Sequence, residues 1–181
     1  MALSDPVYLA IVDDDTLRTT ISKGRLGTAM SAFAQKEGGM LTDEQINSII
    51  RGIRQRWSKP NALAGVTTPP YAAQAPGNSQ QGEAVFSAFC GSCHGSDGKG
   101  GPKAGSVTSA AYLSLISDQG LRTIVITGRP DFSAPDWREN KPGHPMTDQE
   151  ISDVVAWLVA QRPKQASQAA SANASLTGGT Q

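Results

Sequence analysis

The sequence predicts a helical fold, and three observations carry that expectation. Residues 42–57, TDEQINSIIRGIRQRW, place Ile46, Ile49, Ile50 and Ile53 at the i, i+3, i+4, i+7 spacing of an amphipathic helix, with Thr42 as N-cap and Gln45 completing a capping box. Residues 147–161, TDQEISDVVAWLVAQ, repeat the design through Thr147, Ile151, Val154, Val155 and Leu158. A third segment, GEAVFSAFCGSCH, reads as a helix that runs into a glycine-rich loop.

The first two helices belong to a longer likeness. Tyr8–Arg25 aligned with Tyr112–Arg129 gives eight identities in eighteen positions, where composition alone gives roughly one. This reads as an internal duplication of which only the second copy has a segment like GEAVFSAFCGSCH before it. Asp13–Asp15 form a solvated turn and helix cap in this reading. Residues 58–79 are rich in Pro, Gly, Ala, Asn and Gln without apolar periodicity and read as an exposed linker. The tail, residues 163–181, is low-complexity and expected to be disordered. The expected organisation is therefore a partial unit (1–57), a linker (58–79), a complete unit (80–162) and the tail.

Composition removes several function classes. Sixteen basic residues balance sixteen acidic ones, so no global field attracts nucleic acid, and no nucleic-acid partner is expected. The longest apolar run, Val154–Ala160, is far too short to cross a bilayer, which takes roughly 20 residues. The start, MALSDPVYLAIVDDD, has no basic segment and its apolar stretch ends at three aspartates, so it does not read as a secretory signal. Ten aromatic residues are few for a self-sufficient core of 181 residues.

Two cysteines cannot form a disulfide framework, so their chemistry is local. Cys90-Gly91-Ser92-Cys93-His94 is the C-x-x-C-H signature of covalent c-type haem attachment. Two thiols about one helical turn apart can form thioethers to two vinyl groups on one porphyrin edge, and the adjoining imidazole then reaches the iron. A thioredoxin-like dithiol would want a βαβ context. A zinc site would want four ligands, and the only other histidine is His144. Gly82, Phe86 and Cys90 are spaced four apart, so they share one helix side, with Gly82 permitting close passage of another helix and Trp157 its expected partner. The loop GSDGKGGP is expected to turn a backbone carbonyl, ahead of Pro102, toward the free imidazole N–H.

On these residues the segment 80–162 resembles a class I cytochrome c domain, in its G-x-x-x-F helix, CGSCHG, GKGGP, YLSLISDQGLRTIVITGR and MTDQEISDVVAWLVAQR. Residues 1–57 resemble the haem-distal half of the same family, in SDPVYLAIVDDDTLRTTISKGR, GTAMSAF and LTDEQINSIIRGIRQRW, and the chain is thus expected to be a tandem member with its first domain truncated. The resemblance implies an all-α fold of short helices around one covalent haem c, bound through Cys90 and Cys93 with His94 on the iron. It implies single-electron transfer rather than enzymatic turnover, with redox proteins as partners and a subunit role in a membrane-bound respiratory complex as one setting. It also implies attachment of haem to exported apoprotein, hence a periplasmic or otherwise extracytoplasmic location, with a leader expected upstream of Met1.

The resemblance breaks at the sixth ligand. Such domains place an axial methionine in a loop after the G-R pair. Met30 stands there in the first copy, six residues after Gly24, and Ala134 in the second, six after Gly128. Met146 is the best remaining distal candidate, its alternative role being the packing of a helix start as Leu41 does; His144 or an open position are the other outcomes. Arg122 and Arg129 recur as Arg18 and Arg25 and are candidates for haem propionates or a shared structural task. Lys99, Lys103 and Arg138 are candidates to rim the haem edge and steer a partner. Besides the carrier, the functions in view are ligand sensing or catalysis at an open iron, and a docking role for residues 1–57 in a larger redox complex.

Overall fold

The computed structural model describes residues 3–25 and 28–163; most of the expected tail, residues 164–181, lies outside them. The chain divides into two compact units, Met1–Tyr71 and Ala72–Gln181. Both are helical, with only isolated bridges, Ala34 with Leu41 and Arg129 with Ala134, among the described residues. The fold is all-α.

Unit 1 contains α1 (Pro6–Ile11), α2 (Asp14–Lys23), a 3₁₀ turn (Gln35–Glu37) and α3 (Asp43–Trp57). Asp5 caps α1, its Oδ1 accepting from the Tyr8 amide at 2.9 Å, and Asp13 caps α2 by accepting from the Thr16 amide at 2.6 Å. The bonds from Thr16 hold the Asp13 carboxyl below its usual pKa. Helix α3 opens with the expected capping box between Thr42 and Gln45. Tyr8, Leu9, Val12, Leu17, Ala34, Ile46, Ile50 and Ile53 form the core, with Leu41 and Tyr71 packed against it. Burying each large side chain contributes roughly 1.5–3 kcal/mol. Ile49, expected on the buried stripe, is instead 41 % exposed.

Unit 2 contains α4 (Ser79–Phe89), α5 (Gly91–His94), α6 (Ala110–Leu115), α7 (Asp118–Thr127), a 3₁₀ turn (Pro130–Phe132) and α8 (Asp148–Ala160). Helix α8 carries the second capping box, Thr147 with Glu150, and packs against both α4 and α7.

The likeness read from the sequence recurs in geometry. Helices α2 and α7 both end on a glycine in positive φ, Gly24 at 68° and Gly128 at 66°, a conformation that side chains resist. The loop that follows folds back onto each, so a Cβ would meet a carbonyl oxygen 2.4 Å away at either position. The Arg25 amide donates to Met30 O at 2.9 Å and the Arg129 amide to Ala134 O at 3.0 Å. An arginine at the end of each last helix also ties down the end of a short helix, α1 in unit 1 and α6 in unit 2. Arg54 donates to Leu9 O and Val12 O and pairs with Asp14. Arg162 donates to Leu113 O and Ile116 O and pairs with Asp118. Carbonyls left over at the ends of α1 and α6 are thereby satisfied.

Residues 58–79 are mostly exposed, yet they are fastened at two points. The Tyr71 ring lies edge-on to Tyr8 at 6.3 Å, and its hydroxyl accepts from Arg25 at 3.2 Å. At the second point the Asn78 amide donates to Asp153 Oδ1 at 2.7 Å.

Candidate functional site

Helix α4 starts at Asn78, whose Oδ1 accepts from the Gln80 and Gln81 amides. It is seated on α8 by Gly82, where a Cβ would lie 2.0 Å from Asp153 O and 2.7 Å from Trp157 Cβ. Phe86 and Trp157 stack with centroids 4.5 Å apart, and Gly98 closes against both rings. The helix–glycine–tryptophan arrangement expected from the sequence is therefore present, and it fixes the direction in which the chain leaves α4.

From Cys90 the chain makes one further turn, α5. The amides of Cys93 and His94 both donate to Cys90 O, at 3.2 and 3.0 Å, so both cysteines and the histidine sit on a single turn. Both cysteines are free thiols. Burial, and secondarily the nearby Cys93, pushes the Cys90 thiol up to about 12. A thiol raised this far is a poor fit to a reactive dithiol, which needs a thiolate near neutral pH.

His94 Nδ1 lies 2.8 Å from Gly105 O. A carbonyl only accepts, so Nδ1 carries the proton and Nε2 the lone pair that can bind a metal. The carbonyl was expected ahead of Pro102, and the structure places it three residues beyond. The reason is a tight return: the Gly100 amide donates to His94 O at 2.8 Å and the Gly101 amide to Ala104 O at 2.9 Å. This turns the chain about Pro102 and brings the Gly105 carbonyl to Nδ1.

Among the described residues no group of three or more His, Cys, Asp or Glu side chains is placed to hold a bare metal ion. Two free thiols on one turn beside an imidazole whose Nδ1 is engaged suit a prosthetic group that brings its own in-plane ligands.

The remaining expected residues are dispersed. Met146 is buried at 2 % exposure, its amide donates to Trp137 O at 2.9 Å, and its sulfur lies 3.9 Å from Asn140 Nδ2. The His144 ring rests on Phe89 at 5.5 Å, with Nε2 3.2 Å from Glu150 Oε1. Arg122 is 3 % exposed and is bound to Asp148 and Ser152, while Arg18 reaches Asp15 on the surface. The recurring arginine thus has different partners in the two units. Arg129 pairs with Asp131 and lies over Phe132. Lys99 pairs with Asp97 and Arg138 with Asp136, and Lys103 is exposed.

Sequence reasoning missed Trp137, which is 1 % exposed inside a stretch with no helical period. It also missed Arg162, whose signal was a lone arginine just past an apolar helix.

No helix of the described residues is long and apolar enough to cross a membrane. A family model described as Cytochrome c matches residues 79–162. Comparison with curated proteins returns no match.

Proposed function

Because residues 79–162 belong to the cytochrome c family, in its class I form, we propose that this chain is a single-electron carrier with one haem c attached through Cys90 and Cys93. The observation that carries the reading is the α5 turn, where His94 is oriented by the bond from Nδ1 to Gly105 O, 2.8 Å long. When bound, the haem supplies the ferric–ferrous couple. The chain's own residues attach, orient and shield it. Cys90 and Cys93 hold one porphyrin edge, His94 offers Nε2, and the Gly105 carbonyl keeps that nitrogen basic. Phe86, Trp157 and Trp137 contribute apolar surface to the same unit.

No side chain is needed as acid, base or nucleophile. Redox proteins are the partners, a membrane-bound respiratory complex among them, and nucleic acid is not one. The site of action is outside the cytoplasm, where haem is joined to exported apoprotein. A redox titration of the haem-loaded chain tests the reading. One reversible one-electron transition per chain is expected, and no redox-active chromophore would overturn it.

Unit 1 supports a second statement: it is the haem-distal part of another domain of the same kind. The matched caps, glycines and arginine clamps favour this, and so does the exposure of Phe33 at 44 % and Ile49 at 41 %, whose counterparts Trp137 and Val154 are buried in unit 2. An experimental structure of the chain decides it: α1, α2 and α3 superposing on α6, α7 and α8 is expected, and unrelated helix crossings in unit 1 would refute it.

A further inference from the structure

If His94 holds the iron, as the carrier reading has it, the next question is what the chain offers on the other side. Thioether and imidazole are the side-chain donors that bind haem iron without first losing a proton near neutral pH. The chain's methionines are Met1, Met30, Met40 and Met146 and its histidines His94 and His144. In unit 2 that leaves Met146 and His144.

Both are engaged by their surroundings. The His144 ring lies on Phe89, Nε2 faces Glu150, and its amide donates to Lys141 O at 3.1 Å. Met146 occupies the backbone position of Leu41 in unit 1. The Leu41 amide donates to Phe33 O at 2.7 Å, as the Met146 amide does to Trp137 O, and each residue immediately precedes a capping-box threonine. A position filled by Leu in one unit and Met in the other, with the same bond and the same cap, serves to pack a helix start. Where unit 1 carries Met30, bonded through its carbonyl to the Arg25 amide, unit 2 has Ala134 in the same bond to Arg129. A methyl group donates nothing. The loop around Ala134 is also pinned, by the bridge to Arg129 and by the bond from the Trp137 amide to Ile126 O, 3.2 Å long.

We infer that the sixth position of the haem iron in unit 2 is left to a small exogenous ligand of the diatomic or cyanide class, with no side chain of this chain filling it. This inference rests on the carrier reading, and the experiment separates the two. The haem-loaded full chain is first assayed by its pyridine haemochrome, and absence of a c-type haem there defeats the carrier reading itself. With haem present, the ferric spectrum is recorded and the reduced protein is titrated with carbon monoxide. A high-spin ferric spectrum, and carbon monoxide binding complete at one equivalent per haem, are expected. Met146→Leu, which installs the residue that unit 1 already uses, should give the same ferric spectrum. A low-spin ferric spectrum with a near-infrared thioether band that vanishes in Met146→Leu would overturn the inference. So would a low-spin spectrum that turns high-spin in His144→Ala, or a reduced haem that takes up no carbon monoxide.

Discussion

Replacing Gly82 by alanine attacks the crossing that aims the Cys90–His94 turn. The added Cβ would lie 2.0 Å from Asp153 O and 2.7 Å from both Asp153 C and Trp157 Cβ, about 1.4 Å short of an ordinary contact with the nearest atom. Two of the three obstacles are backbone atoms of α8, so no side chain can swing aside. Helices α4 and α8 must part, and the Phe86–Trp157 stack at 4.5 Å loses much of its contact energy over such a gap. Overpacking with partial loss of the stack is worth about 3 kcal/mol. In a unit of this size that lowers the melting temperature by roughly 12–24 °C. The assay is thermal unfolding of the haem-loaded chain followed at the haem band, which reports unit 2. Gly52→Ala on α3 is the control, since nothing lies within 4 Å of its Cβ; the haem-band melt should be unchanged, while urea unfolding followed by far-UV circular dichroism should show unit 1 stabilised by roughly 0.8–1.0 kcal/mol by the better helix former. A Gly82→Ala melt within about 2 °C of the parent would refute the argument.

Three further outcomes are expected. Arg162→Ala frees Leu113 O and Ile116 O and should destabilise unit 2 by about 1–2 kcal/mol in urea unfolding; no change would show that water replaces the clamp. At Glu150, burial alone would raise the carboxyl, but the Thr147 amide and hydroxyl and His144 outweigh it and hold the pKa below its ordinary 4.5. Its contribution is therefore complete above pH 4.5 and lost as the pH falls through the lower folded value, so Glu150→Gln should flatten stability against pH on the acid side and cost about 1 kcal/mol at neutral pH. Unfolding at a series of pH values checks this, and an unchanged acid slope would contradict it. Ala134→Met restores a thioether at the place unit 1 fills with Met30; the ferric haem should turn low-spin, its potential rise, and carbon monoxide affinity fall by at least about tenfold.

The parts legible in the sequence were those fixed by local rules. Ile46, Ile50 and Ile53 with Thr42 and Gln45 announced α3, and Thr147 with Glu150 announced α8, because period and capping are properties of a single helix. Gly82 pointed to a close crossing, and Trp157 was the right partner. The parts that escaped are set by distant groups. Ile49 fits the stripe by period, yet is 41 % exposed, because burial is set by what packs on a helix and not by its own period. Arg122 looked available for an anion until Asp148, 26 residues on, took its charge. Trp137 is buried by backbone bonds to Ile126 and from Met146, which no local pattern announces. The carbonyl on His94 lay three residues past Pro102 because the turn is closed by Gly100 and Gly101, not by the proline.

The central claim is that Cys90, Cys93 and His94 attach and orient one haem. The most direct measurement is the intact mass and pyridine haemochrome of the chain produced in an extracytoplasmic compartment with haem-attachment machinery. The account predicts a mass increased by one haem, a c-type haemochrome at one per chain, and loss of covalent attachment in the double variant Cys90→Ala, Cys93→Ala. An unmodified mass for the parent chain, or haem that stays covalently bound in the double variant, would contradict it.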